Sequence, residues 1–252
     1  MSLTKQQIGK IVELCLLAGE MMVRSGAETT RIEDTMMRIS ASLGMPESQC
    51  YVTQTGIFFS ANRDERVKLV RVAERSTNLE KVAIVNHISR KISLGEMNVD
   101  EALDELKSVA EKNLSYPYWI VVLAAAAASG CFLIMFRGVW GDFIPAFIAG
   151  GVGQMVYVYL HKVIKVKFFA EGVAAFVIGL LAYLAIWSGY GTQMDKIIIG
   201  SVMPLVPGLL ITNAVRDLMD GHFAAALTKG ADALLTSLAI GTGIAIFMSF
   251  VL

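Results

Sequence analysis

The sequence predicts an α+β domain of four helices with a small antiparallel meander, followed by an α-helical membrane bundle of about five spans. Three observations carry that reading. Charge is uneven: residues 1–115 hold 15 Lys/Arg and 16 Asp/Glu, whereas residues 116–252 hold only 7 and 6. Four segments of the first part show the helical apolar period behind a capping signature. Five apolar stretches, each near the length that a bilayer core requires, fill the second part. With 55% hydrophobic and 17% charged residues and a mean hydropathy of +0.57, the chain is too apolar for an ordinary soluble domain.

The first domain is expected over residues 1–114. Its helix starts are marked by Thr4 to Gln7, Thr30 to Glu33, Thr77 to Glu80 and Asn98 to Glu101, pairs in which each partner satisfies a free backbone N–H of the other. Ile8, Ile11, Val12, Cys15, Leu16 and Met22 form one face of the first helix; Val99, Leu103, Leu106 and Ala110 form a face of the fourth. Between helices two and three, QCYVTQTGIFFSANRDERVKLVRV is rich in β-branched and aromatic residues and is punctuated by Gly56 and the polar run 62–65, which gives the meander. The opening MSLTKQQIGK leads directly into an amphipathic helix and lacks the apolar core of a signal peptide, so this domain is expected in the cytoplasm.

The second domain is expected over 115–252. It is announced by SYPYW, in which Tyr116, Tyr118 and Trp119 suit a membrane interface. Spans are expected at about 119–136, 143–160, 168–188, 197–215 and 233–252. Lys162, Lys165 and Lys167 place the loop between spans two and three in the cytoplasm. Five crossings then leave Leu252 on the far side. Small residues four apart, as in Ala146/Gly150, Ala175/Gly179 and Ser237/Gly241, are expected to let helices approach closely.

Several chemistries are poorly supported. Cys15, Cys50 and Cys131 have no metal-ligand or disulfide spacing and read as reduced, buried and inert; no metal and no cofactor are expected. His87 has no His or Cys one turn away and reads as a solvated or core residue. No phosphate-binding G-x-x-x-x-G-K-[ST], nucleophile elbow or H-E-x-x-H is present. No nucleic-acid partner is expected.

Two stretches hold the candidate functional residues. In RSGAETTRIE, Gly26 can end one helix while Thr30 and Glu33 cap the next; Glu28, Thr29 and Arg31 are left as candidates for docking or ligand gating. In GSVMPLVPGLLITNAVRDLMDG, Pro204 and Pro207 break an apolar span and are expected to leave the carbonyls of Gly200 and Met203 without their helical partners. Gly208 would begin a second half-helix whose N-terminus favours an anion. A kinked helix merely packed against its neighbours is the competing reading. Asn213, Arg216 and Asp217 can share one face of that half-helix and are expected to line a pathway, whereas Asp220 is better read as an interface anchor. Asp217 and Glu171 are the candidate proton-coupling carboxylates, although Lys167 four residues before Glu171 also suits a simple interfacial pair.

LLAGEMMVRSGAETTRIEDTM, TNLEKVAIVNHISRKISLGEMNVDEALDEL and MPLVPGLLITNAVRDLMDGHFAAALTKGADALL, in that order, resemble the bacterial threonine/serine exporter family over nearly the whole chain. The resemblance implies a secondary exporter of small carboxylate metabolites in the bacterial cytoplasmic membrane. Long members carry a second set of spans; this chain resembles the shorter, split members, which work with a separate small membrane protein and are associated with succinate export. Threonine or serine remains open as cargo, as does homo-oligomerisation. The competing function class is a membrane-anchored enzyme or sensor acting through the first domain.

Overall fold

The computed structural model describes residues 3–62, 65–73, 75–112, 116–164 and 166–251. Lys165, Leu252 and the middle of the 62–65 turn, all named above, lie outside the described residues. The chain forms two compact units, Met1–Ser115 with Leu209–Gly230, and Tyr116–Gly208 with Ala231–Leu252. The two contiguous blocks expected on either side of residue 114 therefore differ from the units in one respect: 209–230 packs with the first.

In the first unit, α1 (Lys5–Arg24) begins with the expected capping box of Thr4 and Gln7, and α4 (Val99–Glu111) with that of Asn98 and Glu101. The other two expected caps are corrected. α2 (Thr29–Ser42) follows Glu28, which makes no side-chain cap, because Thr30 instead donates to Asp220 at 2.6 Å and Glu33 accepts the Val52 N–H at 2.9 Å. α3 (Leu79–Ser93) is capped by Asn78, one residue after Thr77, whose side chain accepts from the Lys81 N–H.

Strands β1 (Gln49–Val52), β2 (Gly56–Ser60) and β3 (Lys68–Arg71) form the expected antiparallel meander in the order β1-β2-β3. Ile57 and Phe59 enter the core beside Leu14, Met22, Met36, Ile39, Ile88 and Leu106. Packing is tight where α1 meets α2: a Cβ on Gly19 would lie 2.5 Å from the Met36 sulfur.

The last part of this unit comes from α9 (Gly208–Met219) and the start of α10 (Phe223–Val251). Gly221 adopts φ +85°, a conformation costly for other residues. The His222 and Gly221 N–H groups then bond the carbonyls of Asp217 and Leu218, closing the end of α9. α1 ends in the same way: Gly26 is at φ +80°, and Ala27 and Gly26 donate to Met22 and Val23. These two ends hold most of the polar cluster described below.

Among the described residues, four helices are long and apolar enough to cross a membrane: α5 (Tyr118–Met135), α6 (Phe143–Ile164) with the 3-10 turn Trp140–Asp142 before it, and α7 (Lys167–Trp187), all in the second unit, and α10, whose later part belongs to it. The bent pair Met194–Leu205 and Gly208–Met219 makes a fifth if counted as one span. The chain is a multi-pass membrane protein by this measure. α10 begins ten residues before the expected fifth span and runs for 29 residues, about 44 Å at the helical rise. The ten added residues include Lys229 and Asp232, and both charged side chains are partnered.

Small residues bring these helices together. A Cβ on Gly200 would lie 2.9 Å from the Leu133 backbone nitrogen, and one on Gly153 would lie 2.5 Å from Ile178. Ala146, Gly150, Ala175 and Gly179 are buried as expected, but Ser237 and Gly241 are exposed, so that pair makes no internal seam. Cys15 is buried, Cys50 half-buried and Cys131 exposed, which corrects the expectation of three buried thiols. Burial pushes both Cys15 and Cys50 up to about 12, well away from thiolate chemistry.

Candidate functional sites

The first candidate stretch and the later part of the second, from Leu209 on, meet in the first unit. Asp217, completely buried, accepts the Thr29 N–H at 3.1 Å and the Thr29 hydroxyl at 2.8 Å. The Lys229 ammonium, also buried, lies 2.6 Å from the same carboxylate. Lys229 further donates to Thr29 Oγ1 at 3.2 Å and to the Ala27 carbonyl at 3.4 Å. Asp217 thus takes the place that the N-cap of α2 leaves empty, at a helix end where a negative charge is favoured. Asn213 donates to the Gly26 carbonyl at 3.0 Å.

Around this buried pair lies a more exposed ring. Arg216 pairs with Glu28, which also lies 3.8 Å from Arg31. His222 Nε2 lies 3.8 Å from Glu33 Oε2. Burial raises the Glu33 carboxyl above its ordinary range, opposed by the Val52 N–H and by His222. Glu28, Thr29 and Arg31 from the first stretch and Asn213, Arg216 and Asp217 from the second therefore belong to one cluster, whereas Pro204, Pro207 and Gly208 belong to the second unit. Lys229, Glu33 and His222 were missed as members. Lys229 was recoverable from the sequence: it is one of only two charged residues in α10, and a lysine in such a stretch demands a partner.

Two features stand out in the second unit. The first is the interruption between Val202 and Gly208. α8 (Met194–Val202) passes into a 3-10 turn at Met203–Leu205, and Val206 is extended at ψ 131°. One expectation is corrected: the Met203 carbonyl is not orphaned, because the tightened turn lets it accept the Val206 N–H at 3.2 Å. Pro204 and Pro207 are half-buried and Gly208 is exposed. Ser201 beside the break donates to the Ala146 carbonyl at 3.1 Å. The buried Asp142 fixes the other end of α8, accepting N–H bonds from Thr192 at 2.7 Å and Gln193 at 2.9 Å.

The second feature is a charged group on α7 and α10. Glu171 is 3% exposed. Its Oε1 lies 3.4 Å from the Thr236 hydroxyl and 3.9 Å from Lys167, and its Oε2 has no hydrogen-bond partner among the described residues. Lys167 sits closer to Asp232, at 3.0 Å. Asp232 was not singled out from the sequence, although it is the other charged residue of α10.

His87, exposed on α3, lines a groove of ≈ 480 Å³ between α3 and α4 together with Glu80, Glu105 and Lys112.

Residues 13–251 match the family model described as "Putative threonine/serine exporter". The chain belongs to this family. Among curated relatives, it is 26% identical to the "Probable succinate transporter subunit YjjP" of Klebsiella aerogenes, across 99% of this chain and 97% of that protein. It is 27% identical to the protein of the same name in Escherichia coli K12, over 96% and 94% of the two chains. Identity to the "Probable threonine/serine exporter" of Mycobacterium tuberculosis is 24% over 94% of this chain, but that match spans only 45% of the relative. No solved structure matches. Membership and these names support an exporter, and the word subunit in two of them suggests a partner chain.

Proposed function

We propose that this chain is one subunit of a secondary exporter that moves small carboxylate metabolites out of the cytoplasm, succinate or a similar dicarboxylate first, threonine or serine second. The observation that carries the reading is the interruption from Val202 to Gly208 in a segment otherwise apolar enough to cross. Lipid does not satisfy non-helical backbone, so such a break belongs against protein or a wet cavity, and discontinuous helices of this kind hold substrates in other secondary transporters. The substrate carboxylate is received at Pro204, Pro207 and Gly208. Arg216 is the gating cation, for which a carboxylate must compete with Glu28. Asp217 and Asn213 anchor the α1–α2 turn rather than contact cargo.

In this reading the protein lies in the bacterial inner membrane, with the lysine-bearing α6–α7 connection and residues 1–114 in the cytoplasm. A separate small membrane protein completes the exporter.

The test is efflux of labelled succinate, threonine and serine from proteoliposomes holding the full chain, alone and with that partner. Pro207→Ala is expected to cut efflux of the preferred cargo by about tenfold while insertion is unchanged, a loss equivalent to about 1.4 kcal/mol of binding or barrier. Undiminished efflux removes the break from the site.

A further inference from the structure

The charged group on α7 and α10 has an unbalanced account of charge. Asp232 and Glu171 are two carboxylates and Lys167 is one ammonium between them, at 3.0 Å and 3.9 Å. With all three ionised, the group carries one negative charge in excess, on two helices apolar enough to span. Glu171 holds that excess. It is buried, its two contacts are long, and one oxygen meets no donor among the described residues. An uncompensated carboxylate away from water is costly and is relieved by a proton or a cation.

Among the described residues, Lys167 is the cation paired with Glu171 and Asp232. Tyr157 on α6 carries a phenol, which offers no positive charge in either of its forms. His161, one turn further along α6, stacks on the Tyr157 ring at 5.7 Å between centroids. A metal cation would meet the Lys167 ammonium at close range and needs several oxygen ligands, whereas a proton needs one free oxygen. The close approach of α7 and α10 leaves the carboxylate little room to swing out: a Cβ on Gly172 would lie 3.2 Å from the Ala239 carbonyl oxygen.

We propose that Glu171 is the proton-carrying side chain of the transport cycle, with Lys167 exchanging between Asp232 and Glu171 as the proton enters and leaves. The idea rests on the exporter reading above. When Glu171 is protonated, Lys167 pairs with Asp232 and the group is neutral. When the proton departs, Lys167 moves toward Glu171 and loosens its hold on Asp232. One proton is taken up and one released, so a proton gradient is converted into a change in how α10 is tied to α7.

The test separates coupling from binding in proteoliposomes of the full chain with its partner, using labelled succinate, threonine and serine. Wild type is expected to show efflux accelerated by an imposed pH gradient. Glu171→Gln is expected to keep counterflow within about twofold while losing about tenfold or more of the gradient-driven rate. Glu171→Asp, which keeps an ionisable group, is expected to restore part of it. Retention of the gradient effect in Glu171→Gln, loss of counterflow in both variants, or a wild type driven by sodium and not by protons overturns the assignment.

Protonation is read separately, without substrate, from infrared spectra of the purified chain at acidic and alkaline pH. A protonated-carboxyl band that Glu171→Gln removes, or Glu171→Asp shifts, is expected; a band untouched by both overturns the proposal. If wild type moves none of the three probes, the exporter reading fails, and the infrared result still decides Glu171.

Discussion

Among the described residues, the buried pair of Lys229 with Asp217 and the partly buried group of Lys167, Asp232 and Glu171 differ in how well their charges are met. In the first unit, Asp217 has a lysine at 2.6 Å and both donors of Thr29, and the pair sums to zero. In the second, Lys167 is shared between Asp232 and Glu171, and an oxygen of Glu171 meets no donor among the described residues. A saturated pair of this kind is costly to break, because removing either partner strands a buried charge. An undersaturated one responds to protons at small cost. The same residue types thus serve as a fastening in one place and are suited to switching in the other.

The largest expected effect tests the fastening. Lys229→Ala leaves Asp217 buried and unpaired and should destabilise the first unit by ~3–5 kcal/mol. Replacing both partners, Asp217→Asn with Lys229→Met, should recover most of that loss. Thermal or denaturant unfolding of the purified full chain checks both, and a single-mutant loss under about 1 kcal/mol means that the pair is no fastening.

A smaller effect concerns Glu33, whose folded carboxyl is raised chiefly by burial. A raised acid contributes stability that is fully present below its unfolded value, about 4.3, and that is lost as pH rises through the higher folded value. Wild type should therefore lose stability relative to Glu33→Gln on going from acid to neutral pH. Parallel stability curves for the two proteins would show that Glu33 is not under strain.

The smallest effect is expected at the rim. Arg216 and Glu28 have side chains 49% and 20% exposed, so Arg216→Ala should cost only ~0–1 kcal/mol, with less effect at high salt. A loss as large as that of Lys229→Ala would erase the distinction between the buried pair and its exposed ring. If Arg216 gates cargo, this same variant lowers efflux while leaving stability nearly intact.

Much of the architecture was legible because it depends on neighbours in sequence. The boxes at Thr4 and Asn98 need only residues three apart, and the meander follows from alternation and Gly56. Helices α5, α6 and α7 lie within a few residues of their expected spans, because hydrocarbon thickness translates directly into helix length. The failures are equally local in origin. Thr30 and Glu33 have the spacing of a capping box, yet Asp220 and Val52 offered them other partners. Helix α10 begins at Phe223, ten residues before the expected fifth span, and the charged Lys229 and Asp232 in that added length are each met by a partner distant in sequence.

Composition and periodicity by themselves determined a charged α+β region, a set of apolar helices and an interruption at Pro204 and Pro207, since each follows from short-range backbone and transfer energetics. Only the tertiary structure decided who meets whom. Thr29 and Asp217 are 188 positions apart, and no local pattern says that one caps the helix of the other. A polar side chain in an apolar stretch announces that it needs a partner, and the choice of that partner is made by packing.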